Sequence, residues 1–359
     1  METNTSIDKL DLGFQGKDGG LTRREFLKMT ALATVPLLLP TLPAAARSLE
    51  PETSLPPAPL GRIATWWRQA VRVEPAPQAD VVRWMSRDEL LPLHASVEGE
   101  PPWPTNPIWY QTDDGYIHSG YVQPVQDNPQ PVIEQVPEPG FWGQVSVPWA
   151  EARWSPQSAY RAFKFYYGTV YRVTRTVYDE GGQAWYQLKE GVTPYSDNGP
   201  YVPAHTLRQV SPESLAPISP GHPDKTVHID RQAQSLTCLE GDRAVFTTPA
   251  STGHAATPTP RGEFRVLYKR HTRRMTVQNI EDPYDLPGVP WTVYFTWSGV
   301  AIHGTYWHND YGRVHSHGCV NLTPDAAQWV FRWAEPTIPY EAYTQDAEPP
   351  EAGTRVVVV

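Results

Sequence analysis

The sequence predicts a mainly β protein built as small β-rich domains in series, and three observations carry that expectation. Proline occurs 39 times and tryptophan 14 times in 359 residues, which suits aromatic-rich β-modules on extended linkers better than one compact helical domain. Hydrophobic residues make up 40% of the chain, enough to bury the cores of two or three domains. Short β-branched and aromatic runs lie between turn signals, as in Phe165-Tyr166-Tyr167-Gly168-Thr169-Val170-Tyr171-Arg172-Val173. The formal net charge of −9 argues against a nucleic-acid partner, which requires a basic face.

Residues 1–46 read as an export signal. Thr22-Arg23-Arg24-Glu25-Phe26-Leu27-Lys28 matches the twin-arginine consensus, an apolar stretch runs from Met29 to Leu39, and Ala44-Ala45-Ala46 offers an A-x-A cleavage site. The apolar stretch is far shorter than the roughly 20 residues a spanning helix needs, and Pro36 and Pro40 interrupt it. Cleavage is therefore expected rather than a stable membrane span. The mature chain would begin near Arg47 and act outside the cytoplasm, in the cell wall or periplasm.

Three Pro-rich stretches punctuate the rest: Glu50 to Leu60, Pro124 to Gly140 and Ser211 to Lys225. They divide the chain into a linker 47–60, a module 61–125, a linker 126–140, a module 141–210, a linker 211–225 and a final domain 226–359. The two modules echo each other. Trp109-Tyr110-Gln111 precedes Gly115-Tyr116-Ile117 and Tyr121-Val122, and Trp185-Tyr186-Gln187 precedes Gly199-Pro200-Tyr201-Val202. Both patterns resemble the closing hairpin of bacterial SH3-like domains, implying two small SH3-like β-barrel modules. Two readings of them stay open: modules that bind cell wall, or spacers whose aromatics are packed as core.

In the final domain Val227-His228-Ile229-Asp230 and Leu236-Thr237-Cys238-Leu239 read as strands. Glu240-Gly241-Asp242-Arg243 then turns into Ala244-Val245-Phe246. Cys238 alternates with Leu236 and is expected to be a small buried hydrophobe, so a disulfide with Cys319, the other cysteine of the chain, is not expected. Thr323 and Pro324 form a helix start, followed by Ala327, Val330, Phe331 and Ala334 on one apolar face. The basic run Lys269-Arg270-His271-Thr272-Arg273-Arg274 reads as a solvated loop or hairpin.

The chemistry concentrates in Ile302-His303-Gly304-Thr305-Tyr306-Trp307 and Gly312-Arg313-Val314-His315-Ser316-His317-Gly318-Cys319-Val320-Asn321. A cysteine following a glycine, with histidines close by, has the makings of a nucleophile. A free thiol of pKa about 8.5 is brought toward neutrality by an adjacent imidazole. His303 sits in an apolar, strand-like run that could fix its ring, and Gly318 lets a substrate approach the backbone. The Gly318 and Cys319 N–H groups could then donate to an oxyanion. A zinc site from His303, His308, His315, His317 and Cys319 matches no standard ligand spacing, so no metal or other cofactor is expected. His308 and His315 are expected at the surface or in loops, and His254 and His271 have no assigned role.

These residues resemble the L,D-transpeptidase catalytic domain, with its "H-G-T" element followed by "[S/T]-H-G-C-h-N/R". Every motif position is filled, and Ser251-Thr252-Gly253 with Thr257-Pro258-Thr259-Pro260-Arg261-Gly262-Glu263-Phe264 resembles the family's "S-T-G … T-P-x-G-x-F" turn. The resemblance covers roughly residues 225 to 359 and implies a β-sandwich-like domain with one or two short helices. It implies Cys319 as nucleophile, His303 as general base and His317 as shaper of the nucleophile loop. Gly318 and Cys319 would be oxyanion donors, and Gly304 would supply the carbonyl that orients the base. Tyr306, Trp307, Arg313, Ser316 and Asn321 would contact substrate or order the loop. The implied partners are peptidoglycan stem peptides, a donor tetrapeptide and an amine acceptor, together with acylation by carbapenem-type β-lactams. An L,D-carboxypeptidase, a wall-to-protein tethering enzyme and a non-catalytic wall-binding protein are the alternatives.

Overall fold

Short strands in which buried and exposed positions alternate make the protein mainly β, with a single α-helix among the described residues. The computed structural model describes residues 59–189, 199–277 and 283–359. Residues 1–46, read above as an export signal, and nearly all of the 47–60 linker lie outside the described residues. Among those described, no helix is long and apolar enough to cross a membrane.

The first module carries β1 (Leu60–Ile63), β2 (Gln69–Arg72), β3 (Val81–Met85), β4 (Leu90–Pro92), β5 (Ala95–Glu98), β6 (Ile108–Gln111), β7 (Tyr116–His118) and β8 (Val122–Val125). They form sheets ordered β4-β1-β8 and β3-β2-β7-β6-β5 over a core of Ile63, Val71, Met85, Leu91, Ile117 and Val122. The second carries β9 (Phe141–Val145), β10 (Trp149–Ala152), β11 (Phe163–Tyr166), β12 (Val170–Tyr178), β13 (Ala184–Lys189), β14 (Tyr201–Pro203) and β15 (Leu207–Val210). Its sheets are ordered β10-β11 and β14-β13-β12-β9-β15. In each module the Trp-Tyr-Gln strand pairs with the next strand, and one turn of 3-10 helix leads into the last strand. Both tryptophans are buried. Their indole N–H groups are satisfied, Trp109 by the Glu100 carbonyl at 3.0 Å and Trp185 by the Asp179 carboxylate at 3.0 Å. These aromatics are core.

The final domain carries β16 (Lys225–Asp230), β17 (Ser235–Glu240), β18 (Arg243–Pro249), β19 (Gly262–Arg265), β20 (Tyr268–Val277), β21 (Tyr284–Tyr294), β22 (Ala301–Gly304), β23 (Val320–Leu322), α1 (Pro324–Trp333), β24 (Thr344–Asp346) and β25 (Arg355–Val358). Two five-stranded sheets result, β18-β17-β16-β25-β19 and β23-β22-β21-β20-β24. Val227, Ile229, Leu236, Cys238, Val356, Val293, Ile302, Val320 and the helix residues Ala327, Val330 and Phe331 share one core. Cys238 is a free, fully buried thiol, as its alternation with Leu236 predicts.

Helix α1 starts where Thr323 accepts a hydrogen bond from Ala326 N at 3.2 Å and Pro324 enters the first turn. Its other end is closed by an unexpected residue. Lys269 donates to the carbonyls of Phe331 (2.6 Å) and Ala334 (2.7 Å), a cation on the helix's C-terminal carbonyls. The basic run Lys269–Arg274 lies in the first strand of the β20–β21 hairpin, the hairpin of the two alternatives expected, but it is not solvated throughout, since strand alternation buries Lys269 and His271. Burial pulls the Lys269 pKa down to about 7.

The modules pack on this domain within one unit. From the second, Trp142 donates to the Tyr340 carbonyl at 2.6 Å and stacks on His271 at 4.4 Å. From the first, the carbonyls of Gly120 and Ser119 accept from Asn309 N (3.3 Å) and Asn309 Nδ2 (3.1 Å).

Candidate active site

Strand register brings the two key residues together. β22 and β23 run parallel, with Ile302 opposite Val320, His303 opposite Asn321 and Gly304 opposite Leu322. Cys319, one residue before β23, therefore lies next to the strand that carries His303, at the roughly 4.8 Å spacing of paired strands. Sixteen positions apart in sequence, they line one cavity of about 620 Å³. Gly304 has a steric reason to be glycine. A Cβ there would meet Pro290 Cγ at 2.8 Å and Pro324 Cα at 3.0 Å, so the start of α1 could not pack so close.

The nucleophile loop is held from below by the Ser251–Gly253 segment. Ser251 and Asn321 exchange backbone hydrogen bonds of 3.0 and 2.8 Å, His315 N and Ser316 N donate to the Thr252 carbonyl, and His254 N donates to the Ser316 carbonyl at 2.9 Å. Thr259 completes the clamp: its buried hydroxyl accepts from Gly253 N at 2.9 Å and donates to the Gly318 carbonyl at 2.8 Å. A Cβ on Gly253 would lie 2.2 Å from the Thr257 carbonyl oxygen and 2.9 Å from Gly318 Cα. Gly318 has φ +120°, a conformation that side-chain-bearing residues rarely adopt. Ser316 folds its hydroxyl into the loop, donating to the Cys319 carbonyl and accepting from Gly318 N at 3.1 Å. This corrects the expectation for Gly318, whose N–H is already bonded within the loop. His317 packs against the rings of His254 (4.9 Å) and Tyr284 (5.4 Å) at the cavity wall.

His303 is buried, and its Nδ1 lies 3.1 Å from the Gly304 carbonyl oxygen. That contact puts the proton on Nδ1 and leaves Nε2 as the lone-pair nitrogen. Burial lowers the imidazole pKa to about 4. Burial likewise raises the Cys319 pKa to about 11, offset in part by a hydrogen bond with the Ala301 backbone. The side chain is nonetheless only half-buried, so the sulfur keeps access to the cavity. The expectation of a thiol lowered toward neutrality is therefore corrected. Desolvation disfavours both charged forms, so the resting pair is neutral thiol and neutral imidazole. The thiol itself contacts the Gly299 carbonyl at 3.8 Å.

His308, expected at the surface or in a loop, lies in a loop but is buried and neutral. Its Nδ1 accepts from Asp310 N at 3.2 Å, so Nε2 carries the proton, and the Asn321 amide atom 2.9 Å from Nε2 is best read as the oxygen. His308 stacks on His315 at 4.4 Å, and His315 pairs with Asp310 at 2.6 Å. Asn321 thus supports this cluster as well as lining the cavity. Arg313 is not in the cavity wall; it lies over Trp103 at 4.3 Å and pairs with Asp310 at 3.4 Å. Among the described residues no group of three or more His, Cys, Asp or Glu is placed to hold a metal ion.

Tyr306 and Trp307 both reach the cavity, with different duties. Trp307 faces the His303 ring at 5.8 Å. Tyr306 is a buried post. Its hydroxyl donates to the Pro287 carbonyl at 3.1 Å, its ring stacks on Tyr166 at 5.4 Å, and its carbonyl accepts from the Arg62 guanidinium. The fully buried Arg62 also bonds Gln123 Oε1 (2.8 Å) and Asp88 (2.9 Å). Trp66 and Arg87 of the first module and Arg161, Lys164 and Tyr166 of the second complete the cavity wall. Sequence reasoning missed all of these, because no local pattern links them to a motif far downstream.

The cavity is thus lined by a histidine on β22 and by a cysteine one residue before the parallel strand β23. Residues 224–358 match the model of the YkuD family, described as the L,D-transpeptidase catalytic domain. L,D-transpeptidase 1 of Mycobacterium tuberculosis is 37% identical over 106 residues, 28% of this chain and 42% of that protein. The chain thus spans less than half the length of that relative. A crystal structure of Mycobacterium tuberculosis L,D-transpeptidase 1 aligns at 28% identity and TM-score 0.28, over 38% of this chain and 60% of that one. An L,D-transpeptidase solved in complex with imipenem aligns at 23% identity and TM-score 0.32, over 49% of this chain and 90% of that one.

Proposed function

We propose that the chain is an exported cysteine L,D-transpeptidase that remodels peptidoglycan. The observation that carries this reading is that His303 on β22 and Cys319, just before the parallel strand β23, line one cavity within the region that matches that family's model. As Cys319 attacks the carbonyl of the L-centre of the diamino acid in a stem tetrapeptide, His303 Nε2 takes the thiol proton. Because both groups rest neutral, proton transfer accompanies the attack. The Cys319 N–H donates to the developing oxyanion. D-Alanine leaves, protonated by the imidazolium, and a thioester remains. A side-chain amine of a second stem then attacks the thioester and closes a cross-link between two third-position residues; if water attacks, the product is that of an L,D-carboxypeptidase. The same thiol would open a carbapenem ring and be acylated by it.

Intact-protein mass spectrometry with a disaccharide-tetrapeptide, beside a Cys319→Ala control, tests the reading. The expected result is a tripeptide thioester on the wild type alone, with D-alanine released. Adding stem amine or a protein lysine separates cross-linking from wall tethering. No adduct from folded protein with a reduced thiol would favour a non-catalytic wall-binding protein.

A further inference from the structure

Three cations converge on one carboxylate behind the wall of the cavity. Asp88 pairs with Arg62 at 2.9 Å and Lys164 at 2.6 Å, and Arg87 Nε lies 3.9 Å from it. One negative charge faces three positive ones, in a chain of formal net charge −9. The acidic residue that does line the cavity, Asp285, is engaged by Arg274 at 2.5 Å. The surplus is aimed. The Arg87 guanidinium carbon lies over the Trp66 ring, 3.4 Å from its centroid, and the N–H groups of the fork remain donors in the plane of the group. One edge reaches the Tyr166 hydroxyl through Nη2 at 3.3 Å, while Nη1 is buried without a hydrogen-bond partner. A buried guanidinium N–H lacking an acceptor, beside uncompensated charge, is a site built for an anion. Arg87, Lys164 and Tyr166 line the same cavity as Cys319 and His303.

We propose that Arg87, backed by Lys164 and Tyr166, is a carboxylate-binding subsite by which the two N-terminal modules select acidic peptides for Cys319. The proposal rests on the reading of the chain as an enzyme acting on stem peptides. It makes the modules part of the substrate site rather than spacers. The carboxylate belongs either to the peptide's C-terminus or to an acidic residue within it.

The test measures kcat/KM on three tetrapeptide donors: all carboxylates free, only the C-terminus amidated, and only the internal carboxylate amidated. In the wild type one amidation is expected to lower kcat/KM about tenfold or more, the worth of one charge-assisted hydrogen bond, and the position that responds names the source. In Arg87→Gln that ratio falls to within about twofold of unity, and in Arg87→Lys, which keeps a point charge without the fork, it lies between. An unchanged ratio in Arg87→Gln, or no amidation effect in the wild type, overturns the proposal. If the wild type turns over no donor, the function proposed above has failed, and calorimetric binding of the same three peptides to Cys319→Ala reads the subsite alone. A tenfold Kd ratio that vanishes when Arg87→Gln is added supports it, and equal Kd values overturn it.

Discussion

Replacing Thr259 by valine keeps the shape of a fully buried side chain and removes one oxygen. That oxygen accepts from Gly253 N at 2.9 Å and donates to the Gly318 carbonyl at 2.8 Å. Valine leaves both backbone groups buried and unpaired, at roughly 1–3 kcal/mol each if the loop stays in place. Even the lower bound for the pair, about 2 kcal/mol, corresponds to roughly a 30-fold change in an opening equilibrium. Amide hydrogen exchange at Gly253 is therefore expected to accelerate at least about 30-fold. Acylation of Cys319 by a carbapenem should slow about tenfold, since the carbonyl before the nucleophile is no longer held. Thr259→Ser, which retains the hydroxyl, should stay within about threefold of wild type in both assays. A folded Thr259→Val with exchange within about threefold and an unchanged acylation rate would refute the idea that this hydroxyl clamps the loop.

Alkylation of Cys319 by iodoacetamide should rise about tenfold per pH unit through pH 9, because burial holds the thiol pKa at about 11; a plateau between pH 7 and 8, read by mass spectrometry, would show a lowered pKa instead. Cys238, buried and pushed further up, should stay unmodified in the native protein. Arg62→Met removes the bonds to Gln123, Asp88 and the Tyr306 carbonyl. A loss of about 3–5 kcal/mol is expected from breaking such a buried pair, with kcat reduced more than KM is changed, and thermal unfolding with steady-state kinetics checks both. His303 and His271 are buried neutral, with pKa values lowered from 6.5 to about 4 and about 3. Between those values and 6.5 the unfolded chain binds more protons, so stability should be whole above pH 6.5 and fall as pH drops through the window. Melting temperatures between pH 3 and 7 test this, and a flat profile would mean that the two rings are not buried neutral.

Much of the final domain was legible because its signals are local. The alternation around Val227 and Cys238, the Thr323-Pro324 helix start and the Ser316–Asn321 motif each depend on neighbours within a few residues, where pleat, cap and turn geometry are decided. The burial of Lys269 and His271 within the Lys269–Arg274 hairpin strand was hidden for the complementary reason. Charge predicts solvent unless partners exist, and the partners of Lys269 are helix carbonyls some 60 residues away in sequence. His308 was hidden in the same way, since only folding sets it against Asn321.

By itself, then, the sequence determined the mainly β class, the identity of the nucleophile candidate and its histidine, and the glycines that their turns require. Tertiary structure alone decided three further things: that both groups rest neutral, that the Gly318 N–H is held by Ser316, and that Arg87, Lys164 and Tyr166 from two upstream modules wall the cavity. The physical reason is range. Backbone conformation and motif chemistry are written in adjacent residues, whereas desolvation and charge pairing depend on whatever the fold packs around a group, however distant along the chain.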